Sequence, residues 1–94
     1  MPKEAEAARD LAMQAFLRIA ADPEMVQSFM ASTGTDPVGL RAMAGRPGFA
    51  LFVLDFIAEQ DDRMVEMARM LEIRPESIAR ARVILDPASR GEFA

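Results

Sequence analysis

The most apolar stretch of the chain is residues 47–57, with the sequence Pro-Gly-Phe-Ala-Leu-Phe-Val-Leu-Asp-Phe-Ile. Continued to Gln60 at about 100° per residue, it predicts a helix that is apolar around almost its whole circumference. Asp55 and Glu59, four residues apart, give this helix a polar stripe. Such a helix belongs in the centre of a domain or in a membrane. At roughly 14 residues it spans about 21 Å, short of the ~20 residues that a bilayer span needs, so we expect a buried central helix.

Prolines mark where most of the other helices begin. Pro23, Pro37, Pro47 and Pro75 each precede a helical pattern, and the first helical position suits a residue without an N–H. An aspartate directly precedes two of these prolines, and aspartate is a favoured N-cap. Asp61 is the expected N-cap of a fifth helix. Four of the predicted helices cover about residues 4–21, 23–32, 37–44 and 47–60. The fifth follows Asp61, and its core face includes Met64 and Leu71. The last covers about residues 75–86.

The first predicted helix has one broad apolar face. Met13 and Leu17 extend this face, whereas Asp10, Gln14 and Arg18 form a solvent ridge at positions i, i+4 and i+8. The acidic residues of this helix come early and Arg18 comes late, which agrees with the helix dipole.

No stretch of the chain alternates apolar and polar residues in the manner of a strand, and no hairpin signal is present. We therefore predict an all-α protein, a single small bundle of five or six short helices around the central helix at about 47–60. Its 94 residues suit one domain. We expect an ordered core over about residues 5–86 and a loose tail at 87–94.

The composition limits the chemistry available to the chain. It has 51% hydrophobic and 28% charged residues, with no His, Cys, Tyr or Trp. Without His and Cys the usual general base and transition-metal ligands are missing, so we expect no enzyme, cofactor, metal site or small-molecule ligand. The formal net charge of −4 disfavours nucleic acid and anionic membranes as partners. The N-terminal residues lack the apolar segment of a signal peptide, so a cytoplasmic location is expected.

Residues 64–82 resemble a helix-turn-helix, in which two helices cross closely at a tight turn. The residues whose spacing fits the motif are Met67, Leu71, Ile73, Ile78 and Ala81. Glu72 departs from it, because the turn usually has glycine there. The second helix would present four residues to DNA, namely Glu76, Ala79, Arg80 and Val83.

The charge of this pair of helices argues against DNA binding. Phosphates need several cations, and the five arginines and three glutamates between residues 63 and 85 leave only +2. Any two helices joined by a tight turn produce the same spacing. DNA binding is therefore the weaker interpretation.

Asp55, Glu59 and Asp62 lie at positions i, i+4 and i+7, so a continuous helix would align three carboxylates. Such a row could hold Mg²⁺ or Ca²⁺ through its oxygens. However, the chain has no calcium-loop spacing, and hydration, capping by Asp61 and pairing with arginines explain the same residues. We favour this structural interpretation.

Methionine is the one feature that positively suggests a function. Three of the eight methionines, at 64, 67 and 70, recur along one predicted helix. Methionine-rich surfaces form adaptable grooves for partner helices, although methionine also fills cores built from short helices. Helix-edge residues that look surplus to a single core also indicate a partner, and they are Met13, Leu17, Met70, Val83 and Ile84. The residues predicted to contact a protein partner, or a second copy of the chain, are Met64, Met67, Met70, Arg80, Val83 and Ile84.

Six short motifs follow one another between residues 11 and 85. They are Ala-Asp-Pro-Glu at 21–24, Gly-Thr-Asp-Pro at 34–37, Leu-Arg at 40–41, Pro-Gly-Phe at 47–49, Val-Leu-Asp-Phe at 53–56 and Arg-Pro-Glu-Ser-Ile-Ala-Arg-Ala-Arg at 74–82. Their order resembles a family of small bacterial proteins known only as a domain of unknown function. The resemblance implies a compact helical cytoplasmic protein and carries over no catalytic or binding residue.

The sequence therefore predicts a non-enzymatic protein-interaction or regulatory module. The alternative is a helix-turn-helix DNA-binding protein that uses residues 64–82.

Overall fold

Six α-helices and one turn of 3-10 helix make up the part of the chain that the computed structural model describes, residues 3–90, with side chains to Ala88. No strand occurs in that range, which confirms the predicted all-α class. The helices are α1 (Lys3–Ala20), α2 (Pro23–Thr33), α3 (Pro37–Ala44), α4 (Phe49–Ala58), α5 (Asp61–Leu71) and α6 (Pro75–Leu85), and the 3-10 turn is Pro87–Arg90.

Two helix starts follow the predicted Asp-Pro pattern. The Asp22 carboxylate accepts hydrogen bonds from the backbone N–H groups of Glu24 and Met25, at 3.0 and 3.4 Å. The Asp36 carboxylate accepts one from the N–H of Gly39 at 2.8 Å. These bonds satisfy N–H groups that have no partner inside the first turn of a helix. The predicted starts of α2 and α3 are confirmed.

The central helix begins two residues later than predicted, at Phe49 and not at Pro47. Gly48 is the residue before the helix and has a left-handed backbone, with φ +91°. This conformation cannot continue a right-handed helix backwards to Pro47, and it suits glycine because glycine has no Cβ.

The boundary between α4 and α5 also differs from the prediction. Gln60, and not Asp61, is the residue before α5, and its backbone is extended at φ −132° and ψ 129°. Asp61 lies in the first turn of α5, where a carboxylate still interacts favourably with the helix dipole. The extended residue separates α4 from α5 into two distinct helices.

α4 is the axis of the bundle, as predicted. It packs against α1, α5 and α6, while α1 packs against α6 on one side of it. α2 packs against α1. Five of the ten residues of α4 are buried, and they are Phe49, Val53, Leu54, Phe56 and Ile57.

α1 faces the core with small residues and leaves two large ones outside. Its buried residues are Ala5, Ala8, Ala12, Ala15 and Ile19. The prediction that Met13 and Leu17 extend this face is wrong, because their side chains are 42% and 67% exposed. Leu17 is seven residues from Asp10 and therefore about 20° from it around the helix, on the solvent ridge.

Four phenylalanines form an edge-to-face cluster that joins α1, α2 and α4. The ring of Phe29 lies 6.1 Å from Phe16 and 5.0 Å from Phe56, between ring centroids. The ring of Phe49 lies 5.0 Å from Phe16 and 6.4 Å from Phe29. Such pairs contribute about 0.5–1.5 kcal/mol beyond the area they bury. Phe29 is the one fully buried residue of α2, so this cluster fixes the position of that helix.

α3 is the least embedded helix. None of its eight residues is buried, although Leu40 and Met43 pack against the core from the surface. At the other end of the chain, Pro87–Arg90 form a 3-10 turn against α6, in the stretch expected to be a loose tail. Residues 91–94 of that expected tail lie outside the described residues.

We predict that Phe29→Ala lowers the free energy of unfolding by roughly 3–5 kcal/mol, because the truncation opens a cavity between three helices. Urea denaturation followed by circular dichroism measures the loss. Leu17→Ala is the matched control, and its loss should stay below about 0.5 kcal/mol because Leu17 is on the surface. Equal losses for the two variants would contradict this account of the core.

Candidate functional site

The three methionines predicted to meet a partner lie mostly inside the fold. Met67 is 0% exposed, so the prediction that it contacts a partner is wrong. Met64 and Met70 are partly buried and pack against the core. Successive members of the three are about 60° apart around α5, so all three lie within one arc of about 120° and can pack against the core together. The methionine cluster is therefore mainly a core feature.

The outer face of α5 carries polar residues and one exposed apolar residue, Val65. Arg69 donates two hydrogen bonds to the carboxylate of Glu66, three residues earlier. These hydrogen bonds lower the pKa of Glu66 and raise the pKa of Arg69. Both side chains are largely exposed to solvent, so the pair adds little to stability.

Of the predicted residues of α6, Arg80 and Val83 are exposed and Ile84 is partly buried against the core; two of the three line a groove. Arg80 and Ile84 contribute to a cavity of about 230 Å³ between α1 and α6, which we term the α1–α6 groove. The other lining residues are Glu4, Ala7, Ala8, Leu11, Ser77 and Ala81. Val83 is 52% exposed and points away from the core.

The α1–α6 groove exists because both of its walls are built from small residues. Ala7 and Ala8 on α1 and Ala81 on α6 leave space that larger side chains would fill. Leu11 and Ile84 make the lining apolar, and Glu4 and Arg80 add one charge of each sign. No ion pair joins Glu4 to Arg80 in the described part of the chain. The groove is thus an apolar trough with two available charges.

The turn between α5 and α6 has the geometry of a tight helix-turn-helix connection. Glu72 adopts the left-handed conformation, with φ 58° and ψ 44°, at the position where that motif usually has glycine. The N–H of Ile73 donates to the carbonyl of Ala68 at 3.0 Å, and the Ile73 side chain is partly buried. The predicted outward residues of α6, Glu76, Ala79, Arg80 and Val83, are all exposed. However, α1 flanks α6 at the α1–α6 groove and places Glu4 near Arg80.

Two of the three aligned acidic residues, Asp55 and Glu59, make polar contacts with residues of neighbouring helices. Asp55 accepts a hydrogen bond from Arg82 of α6 at 2.5 Å. Glu59 accepts one from the Ser32 hydroxyl of α2 at 2.8 Å and lies 3.6 Å from Arg63 of α5. The break at residue 60 puts Asp62 on a different helix. No group of three or more acidic side chains within residues 3–90 is placed to hold a metal ion.

Arg63 has a structural role that the sequence did not indicate. Its guanidinium donates to the backbone carbonyl of Phe56 at 2.5 Å and lies 3.7 Å from the centre of the Phe56 ring. The same carbonyl also accepts a longer hydrogen bond, at 3.4 Å, from the N–H of Glu59, so Arg63 supplies the shorter of its two bonds at the end of α4. The contact with the ring is a cation–π interaction. Arg63 therefore fastens the start of α5 to the end of α4.

A second surface, also missed from the sequence, surrounds Phe52 on α4. The Phe52 side chain is 50% exposed and lines two adjoining cavities of about 400 and 240 Å³. We define the Phe52 surface by the residues of both cavities: Ser32, Thr33, Met43, Arg46, Pro47, Phe49, Phe52, Asp55, Phe56 and Glu59. The available signal was that Phe52 lies three residues before Asp55, and therefore on the polar stripe of an otherwise apolar helix.

Within residues 3–90, none of the helices is long and apolar enough to cross a membrane. A family model described as "Protein of unknown function (DUF3572)" matches residues 5–88. No curated protein matches the chain, and no solved structure matches it.

We predict that Glu72→Gly stabilises the protein by about 0.5–1 kcal/mol, because glycine adopts the left-handed conformation without the steric cost that a Cβ brings. Chemical denaturation measures the change. Glu66→Gly, in the middle of α5, is the control and should cost about 1 kcal/mol. A loss of stability in both variants would show that Glu72 is not strained by its conformation.

Proposed function

The chain belongs to the DUF3572 family, whose function is unknown, and we propose that it is a non-enzymatic protein-interaction or regulatory module that docks a partner in the α1–α6 groove. The observation that carries the proposal is the uncovered apolar lining of this groove, which includes Arg80 and Ile84. Uncovered apolar grooves on small proteins are typical of partner sites.

The shape and charge of the groove favour an amphipathic helix as the docked element. Alanines in both walls allow the backbone of a helix to come close, and Leu11 and Ile84 offer apolar contacts to one of its side chains. Glu4 and Arg80 are available to pair with a basic and an acidic residue of that helix. Because the charges are of opposite sign, they would also set the direction in which the helix binds.

A non-enzymatic role agrees with the residues present. The chain has no histidine or cysteine, and its aligned carboxylates at 55 and 59 are engaged by arginines and a serine. Engaged carboxylates of this kind hold helices together. They are poorly placed to take part in acid–base chemistry, which needs a group free to exchange a proton with a substrate.

We predict that Ala7→Arg abolishes partner capture, because a long charged side chain would fill the α1–α6 groove. Affinity capture from a lysate of the source organism, with mass spectrometry of the bound proteins, compares this variant with wild type. Ala20→Arg is the matched control, since Ala20 is an exposed alanine of the same helix that does not line the groove. Proteins captured by wild type and Ala20→Arg but lost with Ala7→Arg support the proposal. Equal capture by all three chains, or no capture by wild type, would refute it.

DNA binding by α6 is the second candidate, and the observation that favours it is the tight turn at Glu72 followed by four exposed residues. Against it stand the net charge of −4 and a single arginine on the outward face. We expect no gel retardation of mixed-sequence duplex DNA at low salt. Two results together would establish the DNA-binding alternative instead. Wild type would retard the DNA, and the slope of the logarithm of the binding constant against the logarithm of the salt concentration would fall by about one in Arg80→Ala.

A further inference from the structure

We propose that two copies of the chain form a symmetric dimer through the Phe52 surface, with the two-fold axis at Phe52. This surface is separate from the α1–α6 groove, which stays open in such a dimer. The occupant that the Phe52 surface fits best is a second copy of itself, for three reasons of shape, charge and adaptability.

The first reason is that the surface carries both a protruding side chain and the space to receive one. Phe52 is half exposed and lines two cavities of about 400 and 240 Å³, which have only Thr33 and Phe52 in common. An enclosed apolar cavity of about 150 Å³ already accommodates benzene. In a two-fold dimer, Phe52 of each copy enters a cavity beside the Phe52 of the partner subunit. A surface that bears both parts meets the requirement of a symmetric interface, where the same patch is used twice.

The second reason is the distribution of charge around Phe52. Arg46 lines one cavity, and Asp55 and Glu59 line the other. Arg46 lies in the turn before the first residue of α4, and Glu59 directly follows the last residue of α4, so the two charges are at opposite ends of this helix. A two-fold axis at Phe52 reverses this order in the partner, so each Arg46 faces Glu59 of the partner subunit. The dimer thereby gains two opposite-charge contacts, whereas a parallel arrangement would set like charges together.

These charges are available and already oriented. Arg46 makes no ion pair with any other residue of the described chain. The carboxylate of Glu59 is half exposed. It accepts a hydrogen bond from the Ser32 hydroxyl at 2.8 Å, and the guanidinium of Arg63 lies 3.6 Å from it. A carboxylate has about four acceptor sites, so these contacts leave room for Arg46 of the partner subunit.

The third reason is that the wall of the larger cavity can adapt. Met43 lines it from α3, and α3 has no buried residue that would fix it in place. Methionine adjusts to irregular contacts because it is unbranched and has several rotatable bonds. The contact area is limited to one face of α4 and its neighbours, so the dimer is weak and its population depends on concentration.

The experiment is sedimentation equilibrium of the full chain over a wide concentration range. The wild-type mass should rise from 10.3 kDa towards twice that value as the concentration increases. Phe52→Ser should remain at the monomer mass, and circular dichroism should show unchanged helicity because Phe52 is on the surface. Ala7→Arg should dimerise like wild type, which separates this test from that of the α1–α6 groove.

A charge exchange tests the two-fold geometry itself. Arg46→Glu alone and Glu59→Arg alone should each be monomeric, because each homodimer would place like charges together. Mixed in equal amounts they should form a heterodimer, since both contacts then join opposite charges. If circular dichroism shows that Glu59→Arg is unfolded, Glu59→Gln replaces it. Glu59→Gln keeps an oxygen that accepts the hydrogen bond from Ser32, and it should dimerise more weakly than wild type.

Three results would overturn the proposal. They are a wild-type chain that stays monomeric at millimolar concentration, a Phe52→Ser variant that dimerises like wild type, and two folded charge variants that do not associate when mixed. Loss of a foreign partner on Phe52→Ser, with a monomeric wild type, would assign the surface to that other protein.

Discussion

The burial of α4 is the constraint on which the rest of the structure depends. A helix with apolar side chains around most of its circumference needs neighbours on several sides, and a chain of 94 residues has few to offer. Helices α1, α5 and α6 meet this need by packing directly against it. α2 reaches the same centre through the edge-to-face contacts of Phe29 with the rings of Phe49 and Phe56. The small residues of α1 let that long helix lie close to the axis and to α6 at the same time.

Local signals predicted the fold well because they act within one turn of a helix. Asp22 and Asp36 cap α2 and α3 as expected, since a cap needs only the next three residues. The start of α4 was predicted wrongly because a Pro-Gly pair looks like a helix start, and only the backbone of Gly48 shows that the helix begins after it. Gly48 and Glu72 both have positive φ, a property that the pattern of hydrophobic residues does not report.

The candidate surfaces were harder to predict, because they depend on which face of each helix finds a neighbour. Met67 was a candidate for both an adaptable surface and the core, and it is buried. Leu17 was placed both on the apolar face of α1 and among the residues surplus to the core, and it is exposed. Phe52 was hidden inside an apolar run, although its spacing from Asp55 places it on the polar stripe. The α1–α6 groove arises from alanines on two helices that are far apart in sequence, so no single stretch encodes it. The sequence identified Asp55 and Glu59 as the polar residues of the central helix. Their bonds to Arg82 and Ser32 could not be predicted, because these bonds depend on how α6 and α2 pack beside α4.

The weak attachment of α3 determines which part of the molecule is expected to unfold first. It lies between glycines at 34, 45 and 48, and it contributes no buried side chain. Lifting it from the surface exposes little apolar area, so its release costs much less than unfolding of the whole bundle. Amide protons of α3 will therefore exchange with solvent before those of α4, and the same segment is where the chain tolerates an inserted sequence or meets a protease first. We therefore expect α3 to open separately while the central helix stays packed.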